Sequence, residues 1–397
     1  MRHYGMALRA LELQQPPDET QRCKLLLALG DALSRAGESS QAMETFQQAA
    51  SIAKKLGLQE ALAQAALGFE DASWRPGFCG APAAHLLEEA LSVLPTGDSA
   101  LKARILGSLT RALYFSGSPE RAYAVGQRAV EMARRVGDPF TLAWTLNITL
   151  YSRHQPENLE ERLAGATEMI KLLGEFTESN VSAEIYSWVL FDLMEVGDAQ
   201  GVRAGLAVFQ REAERLRQPF YLYVAASCRA ALVIAEGRFE EGEQIAKQAL
   251  LIGQRLKGQD PMGVFGVKMF TIRREQGRLS EIAPAVKVFV QQHSTAAAWR
   301  PGLALVYSEL GMEAEARTEF ECLATNDFGN IPQDALWVLC LAYLAEVCAF
   351  LGDSRRAEIL YRLLLPYDGH NVVVGGGVAY LGAASRYLGQ LACAMSR

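Results

Sequence analysis

The stretch "SRAGESSQAMETFQQAA", Ser34–Ala50, places a glycine between two runs of helical pattern. Stepping forward from Gly37 by forty residues lands on Gly77, Gly117, Glu157, Gly197, Gly237 and Gly277, and the beat continues less evenly at Gly311 and Gly352. Eight of these nine positions are glycine in a chain with 34 glycines among 397 residues, so chance does not explain the series. Apolar or small residues follow the glycine at +5, +9 and +12: Ala42, Phe46 and Ala49; Ala122, Gly126 and Ala129; Ala357, Tyr361 and Leu364. Steps of four and three place each set on one helix face. A glycine between the two runs suits a tight interhelical turn, because it tolerates positive φ at a helix C-terminus.

Each unit therefore reads as a helical hairpin whose apolar face must be covered by its neighbours. With Leu29-Gly30 ahead of Gly37, the small-large-small pattern resembles a tetratricopeptide repeat, drawn out beyond the usual roughly 34 residues. HEAT and armadillo repeats have a closer period but lack this alanine-aromatic-alanine phasing. The expected fold is all-α: a right-handed superhelix of about nine hairpins forming a single helical-repeat domain over residues 1–397. Two units depart from the beat. "EDASWRPGFCGAPAAH" lengthens the second turn with prolines and glycines, and "YSRHQPENLEERL" carries Pro156 and Glu157 in place of the fourth glycine. Binding residues concentrate on loops that depart from a regular scaffold.

Composition narrows the function. Half of the residues are apolar and 21% are charged, as in an ordinary folded protein. A formal charge of −6 argues against direct nucleic-acid binding, which needs a basic surface. No apolar run approaches the roughly 18 residues of a membrane span, and the N-terminus lacks a signal-peptide core, so the expected location is cytoplasmic. Seven cysteines are scattered without a CxxC pair, which argues against a disulfide framework or a zinc site.

The run "LLLPYDGHNVVVGGGVAYLG", Leu363–Gly382, invites a nucleotide-loop reading. A phosphate loop needs a lysine and a hydroxyl residue after its last glycine, whereas Gly377 is followed by Val378, Ala379 and Tyr380. A dinucleotide fingerprint needs a βαβ context, and no second strand pattern lies nearby. The glycines are expected to be a close-packed connection between helices, with "VAYLGAASRYLGQLACAM" as one more first helix. No GxSxG elbow or HExxH helix is present, and the five histidines fall in different units. No catalytic residue, metal site or cofactor is assigned.

"SRHQPENLEERLAGATEMI", "VLFDLMEVGDAQGV", "LRQPFYLYVAASCRAALVIAEGRFEEGEQIAKQAL" and the stretch from Leu341 to Ala392 resemble the helical-repeat region of bacterial STAND-class signal-transduction ATPases. That resemblance implies a sensory or interaction arm rather than the ATPase itself. The absent ATPase motifs and the mid-pattern start lead us to expect a fragment or a stand-alone descendant of such a region. The leading expectation is a non-catalytic scaffold binding a protein, a peptide or a small-molecule effector in its groove. The alternatives are a stand-alone adaptor and, behind it, a hydrolase with an unrecognised site.

The tetratricopeptide likeness implies a groove lined by first-helix residues about thirteen, ten, six, three and two positions before each turn glycine. Counting back from 77 selects Asp71, Trp74 and Arg75; from 117, Arg104, Arg111, Tyr114 and Phe115. Counting from 157 selects Trp144, Asn147, Tyr151, Arg153 and His154, and from 197, Glu184 and Phe191. Aromatic and arginine side chains bunched on one wall are the material of binding hot spots. The expected site is centred on Trp144, Tyr151 and His154, with Arg111 and Tyr151 replaceable by alanine at little cost in stability.

Overall fold

The computed structural model describes residues 2–13, 16, 18–74, 80–153, 155–175, 181–256, 260–292, 299–332, 336–375 and 377–396. Arg75, Gly77, His154 and Gly376 of the expectations above lie outside them.

The chain is an all-α helical-repeat solenoid. Among the described residues, helix α1 (Arg2–Glu12) precedes nine hairpins. These are α2 (Glu19–Arg35) with α3 (Ser39–Leu56), α4 (Gln59–Trp74) with α5 (Ala81–Val93), and α6 (Ala100–Phe115) with α7 (Pro119–Val136). Next come α8 (Pro139–Thr149) with α9 (Leu159–Leu172), α10 (Val181–Val196) with α11 (Ala199–Leu216), and α12 (Pro219–Ala235) with α13 (Phe239–Gly253). The last three are α14 (Pro261–Glu275) with α15 (Ala283–Gln292), α16 (Trp299–Glu309) with α17 (Glu313–Leu323), and α18 (Trp337–Leu351) with α19 (Ser354–Leu364). Among the described residues no helix is long and apolar enough to cross a membrane.

The glycine beat is a turn chemistry. Gly37, Gly117, Gly197, Gly237, Gly277, Gly311 and Gly352 have φ between 67° and 84°. The residue after each donates its N–H to the carbonyl five positions back, as Glu38 does to Leu33 and Ser118 to Leu113, both at 3.0 Å. That bond satisfies a carbonyl the helix end leaves open, and it needs a left-handed residue before it. A second series lies midway between the first: Gly57, Gly97 and Gly137 also have positive φ, and Arg217 takes the same conformation at 51° without a glycine's freedom. At the fourth marker, Glu157 sits in a 3₁₀ turn, Pro156–Asn158. Arg162, buried beneath it, donates to the carbonyl of Gln155 at 3.0 Å.

Size complementarity sets the hairpin spacing. A methyl group placed on Gly30 or Gly68 comes within 2.7 Å and 2.3 Å of the Phe46 ring, so the ring packs against both glycine backbones. In the third unit the sizes are exchanged. Gly126 stands at the Phe46 position, and its side facing Thr110 leaves 3.1 Å to that residue's Cγ2. Gly68→Ala is therefore expected to cost about 1–3 kcal/mol through overpacking, read as a lower midpoint in urea. Adding Phe46→Leu should recover part of the loss; no recovery would sink the complementarity argument.

By contacts the chain divides into two compact units. The first comprises Met1–Tyr186, Phe209–Tyr223 and Leu251–Pro261, and the second Ser187–Val208, Val224–Leu250 and Met262–Arg397. The core of the first unit runs through Cys23, Phe46, Leu62, Phe69, Leu87, Leu106 and Ala129. That of the second unit runs through Phe270, Leu305, Phe320, Leu341, Leu360 and Tyr387.

The C-terminal glycine run corrects one expectation. Strand β1 (Asn371–Val374) pairs antiparallel with β2 (Ala379–Ala383), Val373 opposite Tyr380 and Val374 opposite Ala379, and helix α20 (Ala384–Met395) starts only afterwards. Positive φ at Gly375 and Gly377 reverses the chain, and β-branched valines favour the pleated backbone that a helix would crowd. The hairpin is pinned inside the second unit: Lys268 Nζ donates to Val378 O and to Ser227 Oγ, both at 2.8 Å. Asn371 Nδ2 donates to Met194 O at 3.1 Å.

Candidate functional site

The first unit assembles most of the expected residues. They come from the ends of consecutive first helices, one repeat apart, so that side chains forty positions apart become neighbours. Arg111 on α6 meets Glu70 on α4 through two parallel bonds, Nε to Oε1 and Nη2 to Oε2, each 2.7 Å. Both side chains are buried, Arg111 at 3% and Glu70 at 1% exposure. The pair holds Arg111 firmly protonated despite its burial. The expectation that Arg111 can be truncated cheaply is thereby corrected: its charge is spent inside the protein.

Arg111 also organises aromatic rings. Its guanidinium lies 4.4 Å from the Trp74 ring centroid and 5.9 Å from that of Tyr151. Tyr151 packs on Trp74 at 5.8 Å, Phe115 at 5.5 Å and Tyr114 at 6.2 Å, and Trp74 meets Phe220 edge-on at 5.8 Å. These five rings are all half-buried. Asp71 borders them, accepting from Trp74 Nε1 and from Ser34 Oγ, both at 3.3 Å.

Beside the aromatic wall lies a cation without a carboxylate. Among the described residues Arg104 makes no hydrogen bond or ion pair, and its Nε is buried without a partner. The guanidinium stands 5.3 Å from the Trp144 ring and 5.8 Å from that of Phe140. Burial lowers its pKa from the ordinary guanidinium value, opposed by the more distant Asp138, Asp31 and Asp71. Asn147, three residues after Trp144, is buried and donates through Nδ2 to Glu184 Oε2 at 3.2 Å. Glu184 in turn accepts from Tyr221 OH at 2.7 Å. A carboxylate only accepts, so the amide must present its NH₂ to Glu184. Asn147 Oδ1 is then left buried without a donor. An orphaned N–H and an orphaned carbonyl oxygen call for a ligand with both an acceptor and a donor.

Two further residues have partners of their own. Arg153 is not part of this wall: its Nη1 donates to Glu161 at 2.6 Å, tying the 3₁₀ turn to α9. Phe191 belongs to the second unit, buried at 3% exposure against Trp188 at 6.2 Å. His154 and Arg75 fall outside the described residues. Sequence reasoning missed Glu70, Phe220 and Tyr221. The last two stand seventeen and sixteen positions before Gly237, outside the window counted back from each glycine. Glu70 could have been found from its offset of 41 residues to Arg111, one repeat plus one.

No family model and no curated protein matches the chain. Among solved structures, the chain is similar to a Rap protein complexed with Competence and Sporulation Factor. The TM-score is 0.59 at 16% identity, over 87% of this chain and 97% of that one. At that identity the likeness shows the fold alone, a tetratricopeptide-like helical repeat. Naa15/Naa10 bound to HypK also aligns, at 13% identity over 99% of this chain and 76% of that one, but its TM-score of 0.22 carries no argument.

Proposed function

We propose that the chain is a non-catalytic scaffold for a protein or peptide partner, acting as one helical-repeat domain in the sensor or interaction arm of a cytoplasmic signal-transduction regulator. The observation that carries this reading is the pairing of orphaned buried atoms, Arg104 Nε and Asn147 Oδ1, with five half-buried aromatic rings. A peptide supplies what that surface lacks, carbonyl or carboxylate oxygens for Arg104 and amide N–H groups for Asn147, while apolar side chains cover the rings. The Rap protein of the same fold is itself complexed with a factor.

Panning a random-peptide phage library against the full chain tests the reading. Enriched sequences, remade as labelled peptides, should lose about tenfold or more in affinity on Arg104→Gln and on Tyr151→Ala. Arg104→Gln should lower Tm far less than Arg111→Ala, because it leaves no buried carboxylate unpaired. Peptides that bind both variants at wild-type affinity would place recognition elsewhere and sink the assignment.

A further inference from the structure

The second unit contains a cavity of about 290 Å³ that the repeat pattern does not require. Its walls come from α12, α14 and α18, with strand β2 and α20 closing the remaining side. Four aromatic residues line it: Phe270 and Tyr343, each 4% exposed, with Phe239 and Tyr380, beside Ile234 and Leu381. Among the described residues neither the Tyr343 nor the Tyr380 hydroxyl has a hydrogen-bond partner. Burial pushes both hydroxyls above the ordinary tyrosine range, so they are donors at neutral pH.

Charge is sorted by depth. Arg274 is consumed inside by Glu346 and by Glu309, whose Oε1 accepts from it at 2.8 Å. Arg386, half-exposed at 51%, approaches Glu346 Oε1 loosely at 3.6 Å and stands 5.4 Å from the Tyr387 ring centroid. Glu275 is exposed and makes no ion pair among the described residues. The rim therefore carries one under-used guanidinium and one free carboxylate, while the floor is aromatic. Two arginines against three glutamates, Glu275, Glu309 and Glu346, leave one net negative charge. Such a balance does not suit a nucleotide or another polyanion.

We propose that this cavity binds a small zwitterion with an aromatic body, the chemistry of an aromatic α-amino acid. The ring enters between Phe239, Phe270 and the two tyrosines. The carboxylate meets Arg386 and the ammonium meets Glu275 at the rim. A volume near 290 Å³ lies at the small end of ligand pockets, which fits one such molecule. This site is separate from the peptide surface proposed above and does not depend on it. Because β2 forms part of the wall, the pinning of its hairpin by Lys268 sets the shape of the pocket.

Calorimetric titration of the full chain with L-phenylalanine, phenylacetate and phenethylamine tests the proposal. L-Phenylalanine should bind, and each singly charged analogue should bind about tenfold more weakly or worse. Arg386→Gln and Glu275→Gln, both at exposed positions, should each weaken L-phenylalanine by a similar factor with Tm unchanged. Arg104→Gln should leave its affinity intact, which separates this site from the peptide surface. Absence of L-phenylalanine binding overturns the proposal. So does equal affinity for an analogue, or wild-type affinity in Arg386→Gln.

Discussion

Arg111→Ala is expected to destabilise the protein by about 3–5 kcal/mol, the largest single-residue effect outside the apolar core. The substitution removes a guanidinium that is 3% exposed and leaves the Glu70 carboxylate, 1% exposed, with its charge uncompensated. Exposed pairs of the same chain, such as Arg135 with Asp98, are expected to contribute far less, because water screens them. Urea denaturation followed by circular dichroism reads the difference. The double variant Glu70→Gln/Arg111→Met should recover most of the loss, since the penalty comes from the orphaned charge rather than from the missing pair. A loss under about 1 kcal/mol for Arg111→Ala would show that Glu70 is solvated and that the packing around Trp74 is looser than described. The consequence for function is direct. Arg111 holds Trp74 and Tyr151 in place from within, so it positions the partner surface and is a poor probe of contact with a partner. Arg104 is the informative arginine.

The second large effect concerns Lys268. Its amine is buried at 1% exposure, hydrogen-bonded to two neutral oxygens, and pushed down from 10.5 to about 8 by burial. In the unfolded chain the amine keeps its proton until about pH 10.5, whereas in the folded protein it releases it near pH 8. Between those values the unfolded state binds more protons, so stability rises with pH, by roughly 3 kcal/mol across the whole window. The neighbouring Cys228 thiol works in the opposite sense. Burial raises it from 9.0 to about 11, so above pH 9 it withdraws stability as the unfolded thiol ionises. The lysine therefore acts unopposed by that thiol only between pH 8 and 9, where the expected gain is about 1 kcal/mol. Guanidinium midpoints at both pH values should rise for the wild type and stay level for Lys268→Met. A wild-type profile as flat as the variant's would mean that the amine reaches water and that the β1–β2 hairpin is not sealed over it.

The turn glycines, the helical phase and the nine hairpins were legible in the residues, because each depends on neighbours within one turn or one repeat. A left-handed residue must follow a helix that ends in this hydrogen-bond pattern, and glycine adopts that conformation at least cost. The same counting placed Asp71, Trp74, Tyr114, Phe115, Trp144, Asn147, Tyr151 and Glu184 together with Arg104, since equal positions in successive repeats lie on neighbouring helices. It did not distinguish a buried arginine from an available one. Arg104 and Arg111 have the same helical context, and the partner one repeat away separates them: Glu70 faces Arg111, and among the described residues no carboxylate closes on Arg104. The β hairpin was equally out of reach. Val372, Val373 and Val374 read as a short apolar run that suits helix or strand, and pairing with Ala379 and Tyr380 decided between them. Periodicity fixes which face of a helix a side chain occupies, but what covers that face is a contact between distant segments, and it exists only once the chain has folded.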